Sequence, residues 1–226
     1  TPCQSSAASD VYKRQSEGQE IESKMVTRAI ARAQKKVEDR NFEIRKSLLE
    51  YDEVMDRQRK TIYGVRQDVL EGENLKDRIG EMLQGTLQRS VNAHTGDAKG
   101  LQEWTQRTFG FALSSSAAEK AIDAERPDTE AAVGEVLAAY DKREGDLGDE
   151  LMRRVESYLL LNAIDGRWKD HLHAVDALKA GIGLRGYGQK DPNVEYKREG
   201  TKLFEENLLP AIEDEVSSLV MRIEVR

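Results

Sequence analysis

The sequence predicts an all-α protein in which one long helix packs with an antiparallel helical hairpin, with a small helical module inserted between them. Of the 226 residues, 34% are charged and 6% are aromatic, and only four are prolines. Residue types that favour helices, such as Glu, Lys, Arg, Ala and Leu, dominate the chain. Apolar residues recur at helical spacing through three long segments. Composition and periodicity together argue against an all-β fold.

Charge and cysteine content exclude several classes of function. The net charge is −7, and nucleic-acid affinity depends largely on Lys and Arg, so nucleic acid is a poor candidate partner. Cys3 is the single cysteine, which rules out an internal disulfide or a cysteine-based zinc site and favours a reducing compartment. The sequence contains no run of 18 apolar residues of the kind that spans a membrane.

Residues 17–72 are predicted to form one long helix, after a tail at 1–16 that reads as disordered or non-native. Steps of four and three residues pass through twelve seam positions, of which nine are apolar. At about 1.5 Å per residue, the 50 residues from Ile21 to Leu70 alone would span roughly 75 Å, enough to brace several bodies. We expect Ile44, Leu48 and Met55 to be buried against the hairpin of the same chain. The seam positions are Ile30, Gln34, Val37, Asn41, Ile44, Leu48, Tyr51, Met55, Gln58, Ile62, Val65 and Val69.

Residues 73–147 predict a module of shorter helices. Ser116 and Glu119 have the spacing of a capping box before a short helix, and Pro127 precedes another helix that ends near Glu144. Gly148, together with Gly145, is expected to close the module. One amphipathic helix is indicated by Leu75, Ile79, Met82, Leu83, Leu87 and Val91.

Residues 148–226 predict the hairpin, with one helix over 149–180 and a return helix over 193–225. Pro210 lies within the apolar stripe of the return helix and is expected to kink it or to cost a hydrogen bond. Trp168, like Trp104, is expected to anchor packing. Asp170, His171 and His173 do not form a plausible metal site, because residues two apart on a helix face different directions; we expect satisfied or exposed histidines instead.

The loop between these helices, GIGLRGYGQKDP at 181–192, begins with the glycine spacing of a dinucleotide-binding loop. That fingerprint requires a preceding β-strand, and here a helical run precedes it. The simplest explanation is a left-handed helix cap at Gly181 followed by a turn. This explanation does not account for the length of the loop or for its exposed Tyr187, since helical hairpins close in a few residues.

Three stretches of the sequence resemble the SecA family, the motor ATPases of bacterial protein secretion. They are RAIARAQKKVEDRNFEIRKSLLEYDEVMDRQRKTIY near the start, AIDGRWKDHLHAVDALKAGI before the glycine loop, and LRGYGQKDPNVEYKREG through the loop. They occur in the family's order. The resemblance implies that 17–72 is the long helix of the helical scaffold domain, 73–147 the helical wing domain, and 148–226 the two-helix finger and its return into the scaffold.

The resemblance also implies a functional loop. In the family, the fingertip carries a tyrosine that meets the translocating polypeptide at the cytoplasmic mouth of the SecY channel, and the matching residue is Tyr187. An amphipathic ring suits contact with varied side chains. The residues expected to share this contact are Leu184, Arg185, Gln189 and Lys190, and those expected to act as hinges are Gly181, Gly183, Gly186 and Gly188.

Partners and location follow from the same resemblance. They are the SecY channel complex, an unfolded preprotein, and the motor and preprotein-binding domains of a parent chain, at the cytoplasmic face of the bacterial inner membrane. ATP and Mg²⁺ belong to the family's nucleotide-binding domains, which this sequence lacks, as it lacks the zinc-binding tail of many members. We therefore expect an excised or incomplete piece that is non-catalytic and binds no cofactor.

Two other hypotheses remain open at this point. A stand-alone coiled-coil protein would bury Ile44, Leu48 and Met55 against a second copy. A nucleotide-binding enzyme would use the glycine loop, although the ATP-binding Walker pattern is absent from the sequence.

Overall fold

The all-α fold class is confirmed by a computed structural model, which describes residues 24–72, 74–123, 127–183 and 191–223. These residues form helices and turns and include no β-strand. The chain divides into two compact units, Thr1–Leu49 and Glu50–Arg226. In the described ranges, no helix combines the length and the apolar character needed to cross a bilayer.

The predicted long helix is α1, Lys24–Glu71. It ends where Gly72 and Asn74 adopt left-handed backbone angles, with φ of 75° and 50°. The expected burial of Ile44 and Leu48 is wrong, because their side chains are 50% and 45% exposed. Met55 does pack against the core, as expected. A heptad marks where a helix can pack, but burial requires an apolar surface opposite, and the seam meets one from Tyr51 onward.

Four shorter helices follow. The amphipathic helix predicted from Leu75 onward is confirmed as α2, and its stripe is buried. Thr129 precedes helix α5, Glu130–Leu147, which runs three residues past the predicted end at Glu144, through Gly145. Gly148, with φ of 82°, separates it from the helix that follows. The four helices are α2 Leu75–Ala93, α3 Ala98–Phe109, α4 Ser115–Ala121 and α5 Glu130–Leu147.

The capping residue of α4 was predicted incorrectly. Ser114, not Ser116, accepts the hydrogen bond of a helix start, from the backbone N–H of Ala117 at 3.3 Å. In a run of three serines, a tertiary contact decides the cap: Glu135 of α5 accepts hydrogen bonds from both the backbone N–H and the hydroxyl of Ser114.

Helix α3 was missed by the sequence reading, although its ends carry recognisable signals. Asp97 accepts a hydrogen bond from the backbone N–H of Gly100 at 2.9 Å, which is a helix N-cap. Gly110 follows the last helical residue with φ of 79°, as a C-terminal glycine does. Trp104, between them, is partly buried against the core and meets Phe109 edge to face, as expected of a packing anchor.

The hairpin consists of α6, Asp149–Ile182, and a return arm in three parts. The parts are α7 Pro192–Lys202, a π-helical turn Leu203–Leu208 and α8 Leu209–Met221. The disturbance expected from Pro210 takes the form of this π-helical turn. Proline has no N–H to donate within a helix, and a wider turn immediately before it accommodates the missing bond.

The larger of two hydrophobic clusters has buried members from Ile62 to Met221. Helix α2 packs on α8, where the hydroxyl of Thr86 donates to Ser217 at 3.3 Å. On the same face, Arg89 pairs with Glu213 and Asp214, each at 2.6 Å. The segment 73–147 thus shares its core with the return arm, and its status as a separate wing domain stays a prediction. Fully buried members of this core include Ile62, Ile79, Leu83, Leu87, Leu160, Ile164, Val216 and Val220.

Candidate functional site

The predicted fingertip lies mostly outside the described residues. Gly181 and Gly183 are described, and neither has the left-handed conformation suggested for a cap at Gly181. Helix α6 continues through Gly181 because Ile182, the next residue, is buried and anchors the last turn. The predicted site residues that fall outside the described ranges are Leu184, Arg185, Gly186, Tyr187, Gly188, Gln189 and Lys190.

Both ends of the fingertip loop are attached to ordered helices. On one side, Ile182 packs with Val175 and Tyr196 in a small apolar cluster. On the other, Asp191 caps α7 by accepting from the backbone N–H of Asn193 at 2.8 Å. Pro192 occupies the first turn of α7, one residue before the predicted start of the return helix. The loop therefore begins and ends at fixed points.

The same cluster attaches the hairpin to the long helix. The rings of Tyr51, on α1, and Tyr196, on α7, lie 4.4 Å apart between centroids and are tilted by 53°. The ammonium of Lys179, on α6, lies 5.8 Å from the centroid of the Tyr51 ring. Burial raises the pKa of both phenols, with a further contribution from the charge of Asp191 to Tyr51. Three helices thus meet beside the loop.

A buried polar contact lies one helical turn further from the loop. We call Gln58, His171 and Gly200 the clamp. The Gln58 amide donates to the backbone carbonyl of Gly200 at 3.0 Å, and its oxygen lies 2.8 Å from Nε2 of His171. Since the amide nitrogen faces a carbonyl, its oxygen faces the imidazole, and Nε2 carries the proton. One side chain of α1 therefore holds both arms of the hairpin.

The His171 ring packs against two aromatic rings. It stacks on Trp168 at 5.4 Å and meets the edge of Phe204 at 5.8 Å. Burial lowers the pKa of His171, because the charged imidazolium would lose its hydration. His171 is thus a satisfied core histidine and His173 is exposed, as the sequence analysis expected. Trp168, 8% exposed, is confirmed as a packing anchor.

Two exposed ion pairs add to the attachment of α6. Arg66 of α1 pairs with Asp165 at 3.0 Å, and Arg167 pairs with Glu215 of α8 at 2.6 Å. Pairs of this exposure contribute little net stability each. The apolar seam and the clamp are therefore the main connections between α1 and the hairpin.

The base of α6 contains a buried charge that the sequence analysis did not identify. Glu156 is fully buried and accepts a hydrogen bond from the hydroxyl of Tyr140, on α5, at 2.5 Å. Arg153 lies 3.1 Å from the other carboxylate oxygen and also donates to Glu144. Lys76 of α2 pairs with Glu144 in turn. The available signal was a glutamate within the apolar stripe that runs through Met152 and Leu160.

This network joins α2, α5 and α6 at the end of the hairpin remote from the loop. Burial raises the pKa of Glu156, and burial together with the Glu156 hydrogen bond raises that of Tyr140. The Tyr140 hydroxyl and the Arg153 guanidinium stand beside the Glu156 carboxyl in place of water. Both ends of α6 are therefore fixed, by different chemistry.

The described residues bear on two kinds of site considered from the sequence, a metal site and a dinucleotide-binding loop. No group of three His, Cys, Asp or Glu side chains among them has an arrangement that could hold a metal. The glycine loop follows helix α6 rather than a strand, so the geometry of a dinucleotide-binding loop does not arise there.

Comparison with known proteins gives a consistent result. A family model for the SecA wing and scaffold domain matches residues 20–224. The protein translocase subunit SecA of Pelotomaculum thermopropionicum is 43% identical over 213 residues, which are 91% of this chain and 24% of that protein. The SecA subunit of Syntrophobacter fumaroxidans is 42% identical over 219 residues, 93% of this chain and 26% of that protein.

The chain spans about a quarter of the length of these curated relatives. Within that quarter, the match covers all the described helices, from the long helix to the return arm. The chain therefore belongs to the SecA family and corresponds to its wing and scaffold region.

Proposed function

We propose that this chain is the helical segment of a SecA translocase that couples ATP-driven motion to the movement of an unfolded preprotein through the SecY channel. In this role the loop at the end of the hairpin contacts the polypeptide, with Tyr187 as the main contact. The supporting observation is that α1 attaches to both arms of the hairpin directly beside the loop.

The attachment is suited to transmitting motion. Helices α6 and α7 are held against α1 by an apolar cluster and by the clamp, so a displacement of α1 displaces the loop with them. A motor that moves any sequence needs contacts that do not depend on one side chain, and a tyrosine ring meets that need. Arg185 and Lys190 would serve as further contacts to carbonyls or to acidic groups.

ATP and Mg²⁺ would bind to motor domains outside this sequence and supply the energy of the cycle. The residues of this chain would bind neither, and their part is to position the loop. We place the protein at the cytoplasmic face of the bacterial inner membrane, with the SecY channel, the preprotein and the motor domains as its partners.

The decisive experiment replaces the matching segment of a full-length relative, such as the Pelotomaculum thermopropionicum SecA, with residues 20–224 of this chain. We expect Tyr187→Ala in this chimera to slow preprotein transport into SecY-containing vesicles while basal ATP hydrolysis stays unchanged. The physical reason is the loss of the one aromatic ring of the loop sequence.

Tyr158→Ala is the matched control, because Tyr158 is 67% exposed on α6 and lies far from the loop in sequence. Equal transport by the Tyr187→Ala and control chimeras would remove the contact role of the loop.

A further inference from the structure

The clamp is unusual in its position, because it places a polar side chain on an apolar seam. Gln58 is 6% exposed and His171 5% exposed, and the seam neighbours of Gln58 are Met55 and Ile62. Burying a polar group costs free energy unless its hydrogen bonds are satisfied. Both the donor and the acceptor of the Gln58 amide are satisfied, and its two partners lie on different arms of the hairpin.

Apolar packing alone would leave the axial position of the two hairpin arms along α1 poorly defined. Hydrophobic contacts are non-directional, so a helix that slides by one turn, about 5.4 Å, exchanges one set of apolar contacts for another. A buried polar residue on a seam instead specifies a register, since its hydrogen-bond partners lie at only one axial position along the helix. Gln58 fixes two registers at once, α1 against α6 and α1 against α7.

The return arm has a particular need for such a fixed point. The π-helical turn begins three residues after Gly200, and such turns are rare, local departures from α-helical geometry. Gly200 lies between this turn and the loop, so its contact with Gln58 holds α7 independently of the turn. A Cβ on Gly200 would lie 3.6 Å from Val54, an ordinary van der Waals distance, so α1 and α7 are in direct contact at this point.

From these contacts we propose that Gln58 is a positioning residue for transport. Its amide sets the axial position of both hairpin arms along α1, and thereby the position of the fingertip loop. The expected effect on transport rests on the proposed function. The register that the clamp sets does not, because it is a property of this chain.

The test uses Gln58→Leu and the double variant Gln58→Leu/His171→Phe. In the double variant both partners are apolar, the ring between Trp168 and Phe204 is kept, and the Gly200 carbonyl keeps a backbone donor, Leu203 N–H. Replacing a buried polar pair by apolar groups of similar shape is close to neutral for stability. Thermal unfolding of the double variant should therefore match that of the original chain. Gln67→Leu, an exposed site on the same helix, is the matched control.

The direct readout is the distance from a spin label on α1, at Arg59→Cys, to a label on each arm in turn, at Ala177→Cys or at Lys197→Cys, with Cys3→Ser to remove the native thiol. All three label sites are exposed. We expect a broadened or shifted distance distribution in both clamp variants and an unchanged one in the control. An unchanged distribution in the double variant would overturn the proposal, and if Gln58→Leu alone unfolds, the double variant carries the test.

The second readout is the amount of preprotein transported per ATP hydrolysed by the chimera. We expect this ratio to fall severalfold in the double variant, with basal hydrolysis and the unfolding temperature unchanged. A broadened label distance with an unchanged transport ratio would also overturn the positioning role. Failure of the Tyr187→Ala experiment would leave the register test unaffected, because the label distances do not depend on transport or on the loop contact.

Discussion

Residues 24–49 and 50–71 belong to one continuous helix, yet their apolar side chains lie in different environments. The heptad runs through both parts with the same spacing. In the first part Ile30, Val37 and Ile44 are at least half exposed, whereas in the second Ile62 and Val69 are 1% exposed. The two parts also belong to different compact units.

The comparison shows that helix formation and helix burial are separate properties of a sequence. Helix propensity and periodicity are local, and both parts have them. Burial depends on an opposing surface, which α6, α7 and α2 supply from residue 50 onward. The polar seam positions follow the same division: Gln34 and Asn41 are exposed, whereas Gln58 is buried and paired.

The largest expected difference comes from one substitution made in each part. We expect Ile62→Ala to lower the free energy of unfolding by about 3 kcal/mol, since it removes buried methyl groups and leaves a cavity. Ile44→Ala should change it by at most about 0.5 kcal/mol. Urea unfolding followed by far-UV circular dichroism, which reports on the helix in both parts, measures both. A large, concentration-dependent loss for Ile44→Ala would instead indicate that a second copy covers the seam, as in a coiled coil.

An intermediate effect on the free energy of unfolding is expected from a glycine substitution in the long helix. The first part contains no glycine, whereas the second contains Gly64, where an added Cβ would meet no atom within 4 Å outside its own helix. Gly64→Ala should therefore raise the free energy of unfolding by about 0.5–1 kcal/mol.

The reverse change in the first part, Ala33→Gly, is the control. It should leave the tryptophan-detected unfolding unchanged, because both tryptophans lie in the second unit. A destabilising Gly64→Ala would mean that Gly64 makes a close contact or adopts a conformation that alanine cannot.

The smallest expected effect is on the pH dependence of the free energy of unfolding, through His171, the partner of the seam residue Gln58. Burial lowers the pKa of His171, so the unfolded chain takes up a proton near pH 6.5 and the folded protein only at lower pH. The free energy of unfolding therefore falls as the pH drops from about 6.5 towards the lowered pKa, and this contribution is fully present above about 6.5. We expect His171→Phe to lack that part of the pH dependence in urea unfolding at about pH 7.5 and 5.5.

His173→Phe, at an exposed site, should keep the full pH dependence. Glu156, whose pKa is raised, contributes equally to all three proteins and cancels in the comparison. The same pH dependence in His171→Phe and in the original chain would mean that His171 is not held neutral by burial.

Much of the fold could be predicted from the sequence. The stripe from Leu75 predicted α2, and the runs before and after the glycine loop predicted the two hairpin arms, because helical periodicity is a local pattern. Two local features of the fold were missed. Three adjacent serines offered equivalent caps for α4, and Asp97 and Gly110 marked a short helix whose weak apolar pattern was overlooked.

The candidate site was predictable only in part. The resemblance to SecA identified the loop and Tyr187, whose contact with a polypeptide stays a prediction. It did not identify the clamp or Glu156. No local sequence pattern shows that Gln58 and Gly200, which are 142 residues apart, meet at His171. Partners distant in sequence become visible only when the helices are packed.

The sequence by itself determined which segments are helical, where glycine and proline interrupt them and to which family the chain belongs. These depend on backbone propensity, on side-chain spacing and on the order of residues. The tertiary structure alone decided which part of the long seam is buried, which serine caps α4, where the return arm widens into a π-helical turn and which polar groups pair inside the core. The physical reason is that burial and buried hydrogen bonds are properties of two facing surfaces, and a linear pattern describes only one of them.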